Sequence, residues 1–371
     1  MNRIKSVNLV FLITVLLSIV GSVINTWIFR LTGNYFLVLL MSQIILVIPS
    51  MIYLIIQRVN VAQAIRFKRL RLSNIILIII LAYLITPLMN LINAISMLYV
   101  QNDTTDIMNN IVENNGFFLS LIMVALVPCI LEESVYRGIF YNEYSKVNVL
   151  KGMILSGFLF GIIHGNLNQF SYAFAMGIVF ALLIEATDSI LATMIVHFFI
   201  NGTSVVVMAV YPKLFQFLET VYGSDKFNAE ELIKSMNSGI LDDMTLGYVI
   251  QSYGITALIA SVLAFIVFKT IAKNSGRWEH VKNIFKRENK GITGYSPKEK
   301  DVNYTVEGDI SLQDSYYEVP DIKSKLITVS LVAGILICVV LMISKELFTV
   351  QVPEQSTENF YTMIRLFIFN K

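Results

Sequence analysis

The sequence predicts an all-α protein, a polytopic transmembrane bundle of about eight to nine helices. Two observations of composition lead there. Apolar residues fill 56% of the 371 positions and charged residues only 15%, against roughly 25% charged in soluble domains. The mean hydropathy is +0.68. The third observation is the recurrence of apolar runs long enough to cross a bilayer, which takes about 20 residues. A chain so poor in charge cannot cover the surface of a water-soluble protein. Its net charge of +2 gives no basis for nucleic-acid binding.

The runs fall at about 7–29, 35–56, 74–100, 116–135, 149–164, 169–185, 188–211, 247–268 and 326–344. The fifth and sixth are shorter and more interrupted, which leaves eight spans as the alternative to nine. Arg3 and Lys5 precede the first run. That run is too long for a signal-peptide core and has no obvious small-residue cleavage site, so it reads as a retained helix. Cys129 and Cys338 lie inside apolar runs and read as buried thiols, with no disulfide framework. Residues 274–322 are polar, rich in Gly, Asn and Tyr, and without periodicity, as expected of a cytoplasmic linker. The ninth run and the tail read as an appendage to the main bundle. The tail's apolar stretch Phe360–Phe369 is too short to cross a bilayer but suits its surface. No repeat of 20–50 residues is present.

Basic residues orient the bundle. The link after the second run carries Arg58, Arg66, Lys68, Arg69 and Arg71. The link after the eighth opens with Lys269, Lys273, Arg277, Lys282, Lys286, Arg287 and Lys290. The links at 101–115 and 212–246 are acidic. Nine spans with a cytoplasmic N-terminus place both basic links inside and both acidic links outside.

Ionisable residues within a lipid-facing helix are costly, so each is a functional candidate. Here they concentrate between 128 and 201: Glu132, Glu133, Arg137, His164, Glu185, Asp188 and His197, with Asn201 beside them. Two of the chain's three histidines fall in predicted spans; the third, His280, sits in the basic link, where a solvated role is expected. Glu133 and Arg137 are four apart and share a helical face, while Glu132 points about 100° away. One carboxylate is therefore held by the guanidinium and the other can face a cavity. The bland alternative is that all three mark the end of a helix. His197 and Asn201 also share a face, so both can address one bound group; either histidine taken separately reads as a satisfied core residue. Gly157, Gly161 and Gly165 suit close helix packing. If helices four and five turn near Ser145–Asn148, Glu132 lies about 20 Å before the turn and His164 about 24 Å beyond it. If six and seven turn near Glu185–Asp188, His197 lies about 14 Å in, with Asn201 one turn deeper. The groups then fall at similar depth and can enclose a polar pocket reached from the cytoplasmic side.

Taken together, the motifs Glu132–Glu133–Arg137, Phe160–His164 and His197–Asn201 resemble the CPBP group. This family comprises type II CAAX prenyl endopeptidases, bacteriocin-processing and immunity proteins, and lysostaphin-resistance-like membrane proteins. The resemblance covers about residues 117–205 and does not extend closely to the first three spans, the acidic link at 212–246, or the linker and ninth span. It implies hydrolysis of a peptide bond near or within the membrane. Glu132 would deprotonate water with help from His164, and His197 and Asn201 would donate to the tetrahedral oxyanion. Glu133 and Arg137 would hold the helix geometry and charge state. Two cofactor states are compatible with these residue types: zinc held by Glu132, His164 and His197, or no metal at all.

The chain divides accordingly into N-terminal transmembrane helices (1–115), a CAAX-protease-like catalytic core (116–205), an outer loop and eighth span (206–268), a basic linker (269–325), and a C-terminal helix with its tail (326–371). The expected partners are a membrane-associated peptide or protein substrate and the lipid bilayer. The high Ile, Asn and Lys content points to an AT-rich bacterial genome, hence a plasma membrane, and weighs against prenylated substrates. Two rival readings are a silent scaffold or immunity protein of the same fold and a proton- or solute-coupled transporter. The complete motif set weighs against the first. The lack of inverted internal symmetry weighs against the second.

Overall fold

The computed structural model describes residues 2–100, 104–224, 227–238, 245–286 and 325–350. All regular structure among them is helical. The chain order is α1 (Arg3–Thr32), α2 (Tyr35–Ile56), α3 (Leu72–Met97), α4 (Ile107–Ser145), α5 (Val149–Ile162), α6 (Leu167–Thr187) and α7 (Ile190–Tyr222). Then come α8 (Ala229–Ser238), α9 (Leu246–Asn274), α10 (Trp278–Ile284) and α11 (Val329–Val350). Eight of these are long and apolar enough to cross a membrane, and the chain is an integral membrane protein. The exception within the central bundle is α5, whose 14 residues rise about 21 Å against a hydrocarbon core of about 30 Å.

Helices α5 and α6 form the tightest hairpin. A Cβ added to Gly177 would lie 2.5 Å from the Gly157 Cα, and one on Gly161 would meet the Phe170 carbonyl oxygen at 3.0 Å. Of the glycines expected to pack helices, Gly157 and Gly161 serve this contact, whereas Gly165 has open space around it. The turn between the helices needs Gly165 at φ +62, a left-handed conformation that costs glycine little. Asn166 then caps α6 by accepting from the Gln169 backbone N–H at 2.9 Å.

The basic links gather at one end of the bundle around a buried carboxylate. Glu185, fully buried near the end of α6, pairs with Arg66 Nη1 at 2.9 Å. It accepts from the Tyr141 hydroxyl at 2.9 Å. Its backbone carbonyl accepts from Arg277 Nε at 2.6 Å, and its Oε2 lies 2.6 Å from His280 Nε2. Lys68 pairs with Asp188 alongside. Burial disfavours the charge on Arg66, but the Glu185 carboxylate, Tyr141 and Asp188 together outweigh it and raise the guanidinium above its usual range. His280, expected to be solvated, is instead tied into this network. It is brought there by α10, a short helix inside the stretch expected to be linker.

Two further differences concern the ends of the chain. The seventh span was expected to stop at 211, but α7 continues through Pro212 to Tyr222. The residues beyond the proline include the helix formers Lys213, Leu214, Gln216, Leu218 and Glu219. The ninth span, α11, packs on α1 as part of the bundle. Asn8 Nδ2 donates to the Leu326 carbonyl at 2.8 Å and to Thr328 Oγ1 at 3.0 Å. Its Oδ1 accepts from the Tyr144 hydroxyl at 2.6 Å. The tail stretch Phe360–Phe369 and most of the linker lie outside the described residues.

Replacing Gly177 with Val drives a side chain into the α5 backbone. Overpacking of this kind costs about 1–3 kcal/mol. The melting temperature of the purified protein in detergent is expected to fall by several degrees.

Candidate active site

The site is built on α4, whose backbone alternates between two geometries. The α-helical stretch Val127–Val135, which carries both glutamates, is flanked by π-helical segments at Leu121–Leu126 and Tyr136–Tyr141. Such segments are rare and recur at functional sites. Pro128 contributes to the first irregularity. It has no N–H to return to the carbonyl four residues back, that of Val124. Asn201 Nδ2, on α7, donates to that carbonyl at 3.0 Å. A carboxamide nitrogen carries two hydrogens, so the second can serve another acceptor.

Glu133 is fully buried and Arg137 and His197 are each 2% exposed. Glu133 Oε1 lies 3.1 Å from both Arg137 Nη1 and His197 Nδ1. The Arg137 contact is an ion pair rather than an aligned hydrogen bond. Its guanidinium is also sandwiched between rings, 4.2 Å from the Phe160 centroid and 4.8 Å from that of Phe180. Cation–π contacts of this kind strengthen when desolvated. The Phe160 ring stands edge-on to both imidazoles, at 5.2 Å from His164 and 6.1 Å from His197. One phenylalanine therefore spaces the two histidines and supports the cation.

The ring nitrogens can be assigned by their partners. His164 Nδ1 lies 2.7 Å from the Phe160 carbonyl, near the end of α5. A carbonyl only accepts, so Nδ1 carries the proton, and the neutral ring presents Nε2 as a base. His197 Nδ1 donates to the Glu133 carboxylate by the same reasoning. Glu132 Oε1 accepts from Gln43 Nε2 on α2 at 3.0 Å.

The structure thus joins Glu133, Arg137 and His197 directly, with His164 against the same phenylalanine. Asn201 is one turn along α7 on the Val124 carbonyl, and Glu132 is bonded toward α2. Among the described residues no three His, Cys, Asp or Glu side chains gather into a group that could hold a metal. Sequence reasoning missed Gln43, whose only signal was an amide inside an apolar run, and Phe180.

Buried acids, imidazoles and a guanidinium thus gather on membrane-spanning helices. Residues 114–203 match the family described as "Type II CAAX prenyl endopeptidase Rce1-like". A Bacillus subtilis protein, "Putative membrane peptidase YdiL", is 35% identical over 95 residues, which cover 25% of this chain and 38% of that protein. No solved structure matches the chain significantly.

Glu133→Ala would strand the Arg137 guanidinium in a buried site, a change that typically costs about 3–5 kcal/mol. Thermal unfolding in detergent should show a large loss for this variant. The double variant Glu133→Leu/Arg137→Met, which removes both charges, should recover most of it.

Proposed function

We propose that the protein is an intramembrane endopeptidase that hydrolyses a peptide bond of a membrane-associated peptide or protein by water activated at Glu132 and His164. The observation that carries this reading is the partner that each imidazole Nδ1 faces. Each Nδ1 is committed to an acceptor of the protein, Phe160 O for His164 and Glu133 for His197. The chemistry then falls to Nε2 of each ring. His164 in its neutral form can share the water proton with the Glu132 carboxylate as the oxygen attacks the carbonyl carbon. His197, when protonated, donates from Nε2 to the oxyanion while Glu133 holds its other side. The second amide hydrogen of Asn201 is the neighbouring donor. Collapse of the tetrahedral species returns a proton to the leaving amine. Glu133 and Arg137 do not touch the substrate in this scheme; they hold His197 and its charge.

The basic end of the bundle is assigned to the cytoplasm by the positive-inside rule, and the membrane to a bacterial plasma membrane. The substrate is proposed by chemistry alone, as a peptide presented within or at the bilayer. Prenylation of that substrate is not required by any residue of the site.

Glu132→Gln should lower cleavage by about 10²–10⁴-fold, the usual worth of a general base. Asn201→Ala should lower kcat by about 10²–10³-fold with little change in KM. The primary readout is quantitative proteomics of cells carrying wild type or Glu132→Gln, in which an uncleaved membrane peptide accumulates in the variant. Full cellular function in both Glu132→Gln and His197→Ala strains would sink the peptidase reading and leave a scaffold of the same fold.

A further inference from the structure

We infer that Gln43, on α2 and outside the segment matched by the family model, is a positioning residue for Glu132. This inference rests on the peptidase reading above. Gln43 Nε2 lies 3.0 Å from Glu132 Oε1. An ionised carboxylate can only accept, so the amide nitrogen must face it and the bond is charge-assisted. The bond fixes the carboxylate's rotation, which directs the other oxygen, Oε2, toward its role as proton acceptor.

The surroundings show that this contact is held in place. Gln43 is 9% exposed in the middle of a largely apolar helix, where an aliphatic side chain would pack without a polar cost. Its Oε1 is buried and has no hydrogen-bond partner among the described residues. The half of the amide that is bonded points at the proposed base. The neighbouring residue, Ser42, faces the other way and accepts from Asn25 Nδ2 of α1 at 3.1 Å. Gly21 of α1 lets the two helices close up, because a Cβ there would fall 2.0 Å from the Ile45 Cδ1. Helix α1 therefore sets the rotation of α2, and α2 sets Glu132.

The test uses the full-length protein in proteoliposomes. Its probe is a fluorogenic version of the peptide that accumulates in Glu132→Gln cells. Gln43→Leu should lower kcat about tenfold to a hundredfold, the range for losing a hydrogen bond to a charged group. KM should stay within about twofold, since the bond acts on the base and not on substrate binding. Gln43→His presents an N–H at a similar distance and should recover kcat to within about fivefold of wild type. Gln43→Leu with wild-type kcat overturns the assignment, and so does a loss that histidine fails to recover while both variants lose thermal stability. An active Glu132→Gln would bring down the peptidase reading itself. An inactive Glu132→Gln beside a fully active Gln43→Leu would remove only the role of Gln43.

Discussion

The burial of one carboxylate, that of Glu133, organises the centre of the bundle. An ion removed from water costs several kcal/mol unless it is paired, and Glu133 has no exposed surface at all. Its answer is Arg137 on the next turn of the same helix and His197 on α7. The guanidinium is itself buried and needs shelter, which comes from the faces of Phe160 and Phe180. Phe160 in turn fixes where His164 stands, since it lends both a ring edge and a backbone carbonyl to that imidazole. Satisfying one buried charge therefore ties α4, α5, α6 and α7 together and leaves two imidazoles on either side of one ring.

A second constraint comes from the backbone. Within lipid every peptide group must find a partner inside the protein. Pro128 withdraws a donor from the turn before the glutamates, and the π-helical segments on either side change which carbonyls are served. Asn201 meets this demand at Val124 with one amide hydrogen. The same residue is structural and available for chemistry, which explains why an asparagine rather than an apolar residue stands one turn after His197.

Much of this was legible in the sequence, for physical reasons. The spans follow from composition, and the opposed faces of Glu132 and Glu133 follow from 100° per residue. The shared face of His197 and Asn201 follows from the same periodicity. What spacing cannot supply is the partner across a helix interface. Nothing in an i, i+4 pattern says that Glu133 rather than Glu132 receives His197, or that Glu132 is met by a glutamine 89 residues earlier. The docking of α11 on α1 through Asn8 and the recruitment of His280 to Glu185 were hidden likewise. The first depends on a helix returning after a polar stretch that carries no periodic signal, the second on a short helix at the start of that stretch.

The position of the site along the bundle normal is set at the basic end. Glu185 closes α6, and the turn at Asp188 and Ser189 starts α7, which carries His197 two turns in. Because Glu185 is gripped by Arg66 from the α2–α3 link and by Arg277 and His280 from beyond α9, that turn cannot slide along the bundle axis without breaking a buried charge network. The height of His197 relative to Glu133 is thus referred to a rigid anchor. Three of the anchor's contributors, Arg66, Arg277 and His280, lie outside the segment matched by the family model. The matched helices carry the groups proposed to react, and the unmatched ones supply most of the charges that grip Glu185.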